Sequence, residues 1–154
     1  MMRLSSDVIK CLAGKTLVTA ESLTGGGIGM ELTSVPGASL VYKGGIISYV
    51  NDVKAEVLGV PQEILDHYGA VSAWTAGYMA SGVRKLLKAD IAVSVTGLAG
   101  PGGDEFGHPV GTVYIGYDSN SKSLVKEFHF IGNREEVRHQ TIEAALKLIL
   151  EQNP

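Results

Sequence analysis

The amino-acid sequence predicts a layered α/β domain built on a mixed β-sheet. Apolar, β-branched runs of strand length alternate with segments of helical period through most of the chain. The last two strand-like runs follow each other directly, with only a turn between them. Because helices connect parallel strands and short turns connect antiparallel ones, we expect both pairings in one sheet. At 154 residues, the chain fits one domain spanning residues 1–154.

The first three elements are a helix, a strand and a second helix. Apolar residues at helical spacing follow good N-cap residues at positions 5–7, and Gly14 ends this first helix. The β-branched run 16–20 predicts the first strand. A turn with three glycines, 25–27, then leads into the second helix.

The next segment predicts a strand followed by two short helices. Residues 41–50 form the strand-like run, in which Gly44 and Gly45 permit a bulge or a close approach of the backbone. Asn51 and Asp52 are N-cap candidates for the first short helix. Pro61 suits the first turn of the second one, which ends near Gly69.

A longer helix and a buried strand come next. Ser72 is placed to cap a helix through Lys88, whose apolar residues recur at helical period. Residues 91–96 form a strand apolar enough to be buried on both faces of a sheet.

A hairpin and a terminal helix complete the predicted order. Runs 111–117 and 124–130 predict two consecutive antiparallel strands. The last helix opens with Asn133 and Glu136, which are spaced for a capping box.

Composition and charge argue against several classes of protein. The 13 basic and 16 acidic residues give a net charge of -3 without a basic run, so nucleic acid is not an expected partner. A small phosphorylated ligand stays compatible, since one or two cations and a helix N-terminus can bind it. No segment has the apolar length of a membrane span or a signal peptide, and the single cysteine, Cys11, excludes an internal disulfide. We therefore expect a cytoplasmic protein without a membrane partner, whose one thiol is buried and structural.

The first segment suited to chemistry is TAESLTGGG. The predicted strand delivers Ser22 and Thr24 to a turn whose glycines, Gly25 and Gly26, expose N–H groups at a helix N-terminus. Such groups can hold an anion or stabilise an oxyanion. The lysine of a P-loop and the full dinucleotide glycine spacing are both absent. The alternative is a structural turn in which Ser22 or Thr24 is an ordinary N-cap.

The second segment, ISYVNDVKAE, places Tyr49 at a strand end and Lys54 in the first turn of the following helix. A lysine there opposes the helix dipole, which favours the neutral amine, and a neutral amine can act as a base. The alternative is a solvated lysine beside a core tyrosine.

The third segment is the glycine-dense stretch SVTGLAGPGGDEFGHPVGTV between two apolar strands. Compact domains seldom keep so much irregular chain without a use, and α/β folds place ligands at such strand ends. Its glycines, Gly97 and Gly100 among them, permit close approach of the backbone to a ligand. The alternative is a flexible connector with a Pro-Gly turn.

The remaining polar residues carry weaker signals. The four histidines are far apart in sequence and match no paired-ligand pattern, so we expect no metal site. Arg134 and Arg138 lie one helical turn apart and are spaced to clamp a phosphate, but Glu135 and Glu136 beside them favour a solvated, salt-bridged face.

Several segments, taken together and in order, resemble the CinA C-terminal domain family, which includes stand-alone PncC proteins. They are TAESLTGGGIG, GASLVYKGGIISYVNDVKAEVLGV, HYGAVS, SVTGLAGPGG and HPVGTVYIGY, and they span about residues 19–138. The resemblance implies a three-layer α/β/α sandwich with a mixed, mostly parallel sheet. It also implies hydrolysis of the carboxamide of nicotinamide mononucleotide to nicotinate mononucleotide and ammonia, without a cofactor.

The resemblance further implies a serine nucleophile with a lysine and a tyrosine, which fall on Ser22, Lys54 and Tyr49. In that mechanism neutral Lys54 takes the proton of Ser22 during attack, and Tyr49 relays protons toward the leaving ammonia. Backbone donors at 24–26 would hold the oxyanion or the phosphate, and the loop after the buried strand would close over the ribose. The expected substrate contacts are Thr24, Gly25, Gly26, Asn51, Thr96, Gly97, Gly100 and Pro101.

The sequence departs from the family pattern at three positions. Leu23 stands where relatives often have cysteine, Ala73 where a glutamate commonly occurs, and Asn133 where aspartate is frequent. The first departure indicates that the implied chemistry needs no thiol there, and the other two bear on substrate contacts or helix capping. We also expect the chain to lack the amino-terminal domain of longer relatives and the activities of that domain.

Two other functions stay open at the level of sequence. One is a non-catalytic nucleotide-binding or regulatory domain, against which the intact Ser22, Tyr49 and Lys54 argue. The other is an amidohydrolase for a different small amide, since neither the serine nor the glycine turns specify the nicotinamide ring. The resemblance and the apolar runs also predict a homo-oligomer.

Overall fold

The computed structural model describes residues 1–154, and it contains every helix and strand that the sequence predicts. In chain order the elements are α1 (Met2–Cys11), β1 (Leu17–Glu21), α2 (Gly27–Thr33), a short 3₁₀ helix (Ala38–Leu40), β2 (Tyr42–Ile47), α3 (Asn51–Glu56), α4 (Gln62–Tyr68), α5 (Ala73–Leu87), β3 (Ile91–Gly97), β4 (Thr112–Ser119), β5 (Ser123–His129) and α6 (Arg134–Gln152).

The five strands form one mixed sheet in the order β2-β1-β3-β4-β5. Strand β1 pairs in parallel with both β2 and β3. Strand β4 runs antiparallel to β3 and to β5, so it alone points the opposite way from the other strands. The predicted mixed, mostly parallel sheet is therefore confirmed, with the crossover helices and the late hairpin accounting for the two kinds of pairing.

Helices cover both faces of the sheet, which makes the fold a three-layer α/β/α sandwich. Helices α1, α2 and α6 pack together on one face, and α5 crosses the other with α4 packed against it. Successive side chains of β1 point to opposite faces of the sheet. Leu17 belongs to the apolar core on one face, and Val18 belongs to the apolar core on the other face. Strand β1 is buried along its whole length, as its central place in the sheet requires.

Strand β2 contains the predicted irregularity at its glycines. Leu17 pairs with Tyr42 and Val18 with Gly44, so Lys43 has no partner on β1 and forms a bulge. Gly44 has a φ of 148°, which side chains rarely adopt. The strand itself ends at Ile47, three residues before the end of the predicted run.

Two of the predicted helix starts are wrong. Helix α1 begins at Met2, and Ser5 is a buried residue inside it whose hydroxyl donates to the Met1 carbonyl at 3.4 Å. Helix α3 is capped by Val50 without a side-chain hydrogen bond, so Asn51 is a helical residue. Met1 and Leu4, which precede the predicted cap of α1, pack against the apolar core, so that helix begins earlier. The start of α3 differs from the prediction by one residue only.

Cys11 is exposed, which corrects the expectation of a buried thiol. The neighbouring Leu12 takes the fully buried position instead, together with Val8. Position 11 is turned about 100° around the helix axis from position 12, and this rotation directs it toward solvent.

The predicted caps at Ser72 and Asn133 are confirmed. The Ser72 hydroxyl accepts a hydrogen bond from Thr75 N at 3.0 Å at the start of α5. At the start of α6, Asn133 and Glu136 form both bonds of the capping box, each at 2.9 Å. None of the helices is both long enough and apolar enough to pass through a membrane.

Candidate active site

A cleft of about 630 Å³ opens where β1, β2 and β3 end. All three strands point their carboxyl ends to this edge of the sheet, which is where α/β folds commonly bind ligands. Its wall comes from separate parts of the chain: Ser22 and Leu23 after β1, Tyr49, Asn51 and Lys54 after β2, residues 69–71 before α5, residues 96–102 and 104–106 around the glycine-dense loop, and Arg134 on α6.

Ser22 and Lys54 meet inside this cleft. Lys54 Nζ lies 3.0 Å from Ser22 Oγ, although the two residues are 32 positions apart in sequence. The same nitrogen donates to the carbonyl of Ser48 at 2.6 Å and to that of Tyr49 at 3.3 Å. Only 1% of Lys54 and 7% of Ser22 are exposed, so the pair lies at the buried end of the cleft.

Burial lowers the pKa of Lys54 to about 8. The hydrogen-bond partners of its amine are all neutral oxygens, which compensate only in part for the lost hydration of an ammonium ion. The sequence indicated a neutral amine from the helix dipole, but desolvation is the cause that the structure supplies. At neutral pH about one tenth of the molecules then carry the free amine.

The hydrogen bonds of Lys54 also direct its lone pair. A neutral amine has two N–H groups and one lone pair, and the two backbone carbonyls accept the N–H groups. The remaining direction leads to the Ser22 hydroxyl. The arrangement is therefore that of a base and the hydroxyl group that it can deprotonate.

Tyr49 lines the cleft but does not touch this pair with its phenol. Its hydroxyl accepts a hydrogen bond from Arg134 Nη2 at 2.9 Å, and 57% of the residue is exposed. Arg134 also donates through Nη1 to the Gly100 carbonyl at 2.8 Å. The structure thus places Tyr49 at the rim, connected through Arg134 to the glycine-dense loop.

The glycine turn after β1 is not an open anion site. The N-terminal N–H groups of α2, those of Ile28 and Gly29, donate to the Glu21 carboxylate at 2.8 and 3.0 Å. Thr24 Oγ1 donates to the same carboxylate at 2.6 Å, and only 2% of Glu21 is exposed. A side chain of the protein therefore occupies the N-terminus of α2, the helix that follows the glycine turn.

Three of the expected substrate contacts lie outside the cleft. These are Thr24, Gly25 and Gly26, none of which belongs to its wall. The sequence analysis gave Glu21 no role, although an acidic residue directly before the serine and six positions before the start of the helix was a usable signal.

The other expected contacts do line the cleft: Asn51, Thr96, Gly97, Gly100 and Pro101. Thr96 is nearly fully buried, and its hydroxyl donates to the Ala70 carbonyl at 2.7 Å. Its side chain therefore fixes the facing wall at residues 69–71. These residues belong to the segment HYGAVS, which carries part of the family resemblance, but none of them was among the expected substrate contacts.

The two arginines of α6 also differ from expectation. Neither Arg134 nor Arg138 forms a salt bridge with the glutamates beside it, and Arg138 Nε donates to the Leu23 carbonyl at 2.9 Å. Both guanidinium groups thus hold backbone carbonyls of the site. No three His, Cys, Asp or Glu side chains lie together in a way that could hold a metal ion.

Comparison with known proteins identifies close relatives of this fold and sequence. The family model of the CinA C-terminal domain matches residues 2–153. A CinA-like protein of Thermosynechococcus vestitus is 48% identical over 141 residues, which are 90% of this chain and 34% of that protein.

The crystal structure of competence/damage inducible protein CihA from Agrobacterium tumefaciens has a TM-score of 0.96 at 38% identity, covering 99% of this chain and 95% of that one. Competence damage-inducible protein A from Klebsiella pneumoniae has a TM-score of 0.95 at 34% identity, covering 97% and 94%. The chain spans about a third of the length of the curated relatives that it matches.

Proposed function

The chain belongs to the CinA C-terminal domain family, and on this basis we propose that it is an amidohydrolase that converts nicotinamide mononucleotide to nicotinate mononucleotide and ammonia. The observation that carries the proposal is the 3.0 Å contact between Lys54 Nζ and Ser22 Oγ at the buried end of the cleft. A hydroxyl group that is hydrogen-bonded to an amine of lowered pKa is the minimum that covalent attack on a carboxamide requires.

The first half of the reaction forms an acyl-enzyme. Ser22 Oγ bonds to the carboxamide carbon while its proton passes to the neutral Lys54 Nζ. The tetrahedral intermediate then collapses as the carbon–nitrogen bond breaks, and the Lys54 ammonium gives its proton to the departing nitrogen. Ammonia leaves, and the nicotinate group remains as an ester on Ser22.

The second half releases the acid. Water attacks the ester carbon and Lys54 accepts its proton. The carbon–oxygen bond to Ser22 breaks, and Ser22 recovers its proton from Lys54. The phenol of Tyr49 hydrogen-bonds to neither Ser22 nor Lys54, so we assign it to the rim, where it would contact the substrate carboxamide or the leaving ammonia.

The oxyanion of the intermediate requires a donor, and the N–H of Leu23 is the best placed. Leu23 follows the nucleophile directly, lines the cleft, and its N–H donates to no other protein group. The N–H after the nucleophile fills this role in other serine hydrolases. This donor replaces the turn at 24–26, whose neighbouring helix N-terminus is occupied by Glu21.

The decisive experiment supplies nicotinamide mononucleotide to the wild type and to Ser22→Ala, and measures ammonia and nicotinate mononucleotide in each. We expect release by the wild type and none above background from the variant. Ser34→Ala, which changes an exposed serine directly after α2, is the matched control and should keep wild-type activity. Equal release by the wild type and Ser22→Ala would remove Ser22 as the nucleophile.

Related amides tested in parallel define the substrate. Nicotinamide riboside and nicotinamide share the carboxamide and lack the phosphate or the whole ribose phosphate. Turnover of these compounds in preference to the mononucleotide would contradict the substrate assignment while preserving the amidohydrolase class. Binding of the mononucleotide without turnover of any amide would instead support a regulatory domain.

A further inference from the structure

Ser48 carries the only buried side-chain nitrogen or oxygen that has no hydrogen-bond partner, its Oγ. The residue is 0% exposed and lies between the end of β2 and the start of α3. Leaving a buried hydroxyl unpaired destabilises a fold, and nearly all such groups in proteins are paired. An unpaired hydroxyl at this place therefore needs a reason.

The backbone of Ser48 hydrogen-bonds to Lys54 and to the residue that precedes Ser22. Its N–H donates to the carbonyl of Glu21, the residue before Ser22, at 2.8 Å. Its carbonyl accepts from Lys54 Nζ at 2.6 Å. The hydroxyl belongs to a residue in direct contact with the amine, and rotation about one single bond changes its direction.

The proposed reaction changes what Lys54 requires from its surroundings. As an ammonium ion it has three N–H groups, and the carbonyls of Ser48 and Tyr49 accept two of them. The third points to Ser22 Oγ in the free protein. Once Ser22 is acylated, this oxygen is the bridging oxygen of an ester, which is a poor acceptor. A buried ammonium group with an unpaired N–H is costly.

We propose that Ser48 is a positioning residue whose hydroxyl accepts the third N–H of the Lys54 ammonium when Ser22 becomes acylated. The inference rests on the proposed function, because it requires Ser22 to be the nucleophile and Lys54 the base. The Ser48 hydroxyl has no partner in the free protein because the third N–H of Lys54 then points to Ser22. This N–H becomes available to Ser48 only when Ser22 is acylated. The fold retains a destabilising group that lowers the barrier to acylation.

The test measures the acylation step directly with a fluorophosphonate probe. Ser22 Oγ bonds to phosphorus, fluoride leaves, and the Ser22 proton passes to Lys54, so the probe creates the same ammonium without requiring an amide. The rate of labelling at Ser22 is followed by mass spectrometry of the intact protein. Ser22→Ala controls for labelling elsewhere.

A matched pair of variants isolates the hydroxyl. Threonine and valine have nearly the same β-branched shape, and valine carries a methyl group where threonine carries the hydroxyl group. We expect the threonine variant to be labelled about 10-fold faster than the valine variant, and Ser48→Ala to be slower than the wild type by about 10- to 100-fold. With nicotinamide mononucleotide, kcat of Ser48→Ala should fall by a similar factor while KM stays within about twofold.

The stability of Ser48→Ala distinguishes the proposed role from a purely structural one. If Ser48 only stabilised the fold, its replacement by alanine would lower the stability. Ser48→Ala removes an unpaired buried hydroxyl, so its urea midpoint should equal or exceed that of the wild type. Slow labelling in a protein of undiminished stability would support the inference. Equal labelling rates for the wild type and Ser48→Ala, or for the threonine and valine variants, would overturn it and leave the proposed function intact.

Failure of the proposed function gives a different pattern. Labelling of the wild type at Ser22 without ammonia release from any amide would remove the amidohydrolase assignment, and the Ser48 comparison would still decide the inference. Absence of labelling at Ser22, together with equal ammonia release by the wild type and Ser22→Ala, would remove Ser22 as the nucleophile and overturn the inference with it.

Discussion

Lys54 shows how one buried side chain becomes a base near neutral pH. Its amine contacts a hydroxyl and two backbone carbonyls, and it forms no salt bridge. A carboxylate in their place would stabilise the ammonium ion and raise its pKa, which would keep the lysine protonated and unable to accept a proton. The neutral surroundings of Lys54 therefore matter as much for the proposed chemistry as its distance from Ser22.

The pH dependence of catalysis should report this ionisation. The pKa of Lys54 is about 8, so at a pH below this value Lys54 is mostly the ammonium ion. An ammonium ion cannot accept the proton of Ser22. We therefore expect kcat/KM for nicotinamide mononucleotide to rise tenfold per pH unit on the acid side and to level off above about pH 8. Initial rates at low substrate concentration on both sides of this pH measure the profile.

Lys54→Arg is the control for this profile, because arginine stays protonated throughout and should show no activity at any pH tested. No histidine lines the cleft. A rate profile that levels off near the usual histidine pKa, about 6.5, would therefore contradict Lys54 as the base.

At the scale of elements, Glu21 joins strand β1 to helix α2. The N-cap position of α2 is Gly26, which has no capping side chain, and the carboxylate of Glu21 takes over that task from the end of the strand. The residues between the two elements include Ser22 and Thr24, and Thr24 is bonded to the same carboxylate. This contact fixes the turn that presents the nucleophile.

Removal of this carboxylate should cost considerable stability. Glu21→Ala leaves buried N–H groups and the Thr24 hydroxyl without an acceptor, so we expect the free energy of unfolding to fall by about 2–4 kcal/mol. Glu21→Gln keeps one acceptor oxygen, so its free energy of unfolding should fall by less than that of Glu21→Ala. Urea denaturation monitored by circular dichroism measures both.

Glu31→Ala supplies the comparison on the same helix, because the Glu31 side chain makes neither a hydrogen bond nor a salt bridge. We expect that change to stay within about 0.5 kcal/mol of the wild type. Equal losses from Glu21→Ala and Glu31→Ala would show that the carboxylate does not cap α2.

At the scale of the whole molecule, Arg134 connects three parts of the fold at the edge that holds the cleft. It lies at the start of α6, and its guanidinium group reaches Tyr49 after β2 and Gly100 in the loop after β3. Arg138, one turn later, holds the Leu23 carbonyl after β1. Helix α6 therefore sets the relative positions of segments that are far apart in the sequence.

Loss of the Arg134 contacts should loosen the rim of the cleft while leaving the reacting pair in place. We expect Arg134→Ala to raise KM for nicotinamide mononucleotide by about 10-fold and to change kcat less, because the bond between Ser22 and Lys54 does not involve Arg134. Faster amide hydrogen exchange at residues 98–103 should accompany it. Lys147→Ala, on the exposed side of the same helix, should change neither KM nor the rate of hydrogen exchange at these residues. A fall in kcat with unchanged KM would assign Arg134 to the chemical step instead.

The order of helices and strands could be predicted because it depends on patterns that are local in the sequence. Alternating apolar runs, the turn between residues 117 and 124, and the caps at Ser72 and Asn133 each act within a few residues. The start of α1 and the exposure of Cys11 were mispredicted for the opposite reason. Each depends on how α1 packs against α2 and α6, which the short segment does not encode.

The sequence by itself determined the residue types and order of the proposed machinery: a serine after the first strand, a tyrosine after the second, and a lysine one turn into the following helix. Only the tertiary structure brought Ser22 and Lys54 into contact, left the Tyr49 phenol at the rim, and placed Glu21 where an anion was expected. Contacts between distant residues depend on the register of neighbouring strands and on the edge of the sheet at which they end. The lowered pKa of Lys54 follows from burial, and burial is a property of the assembled fold.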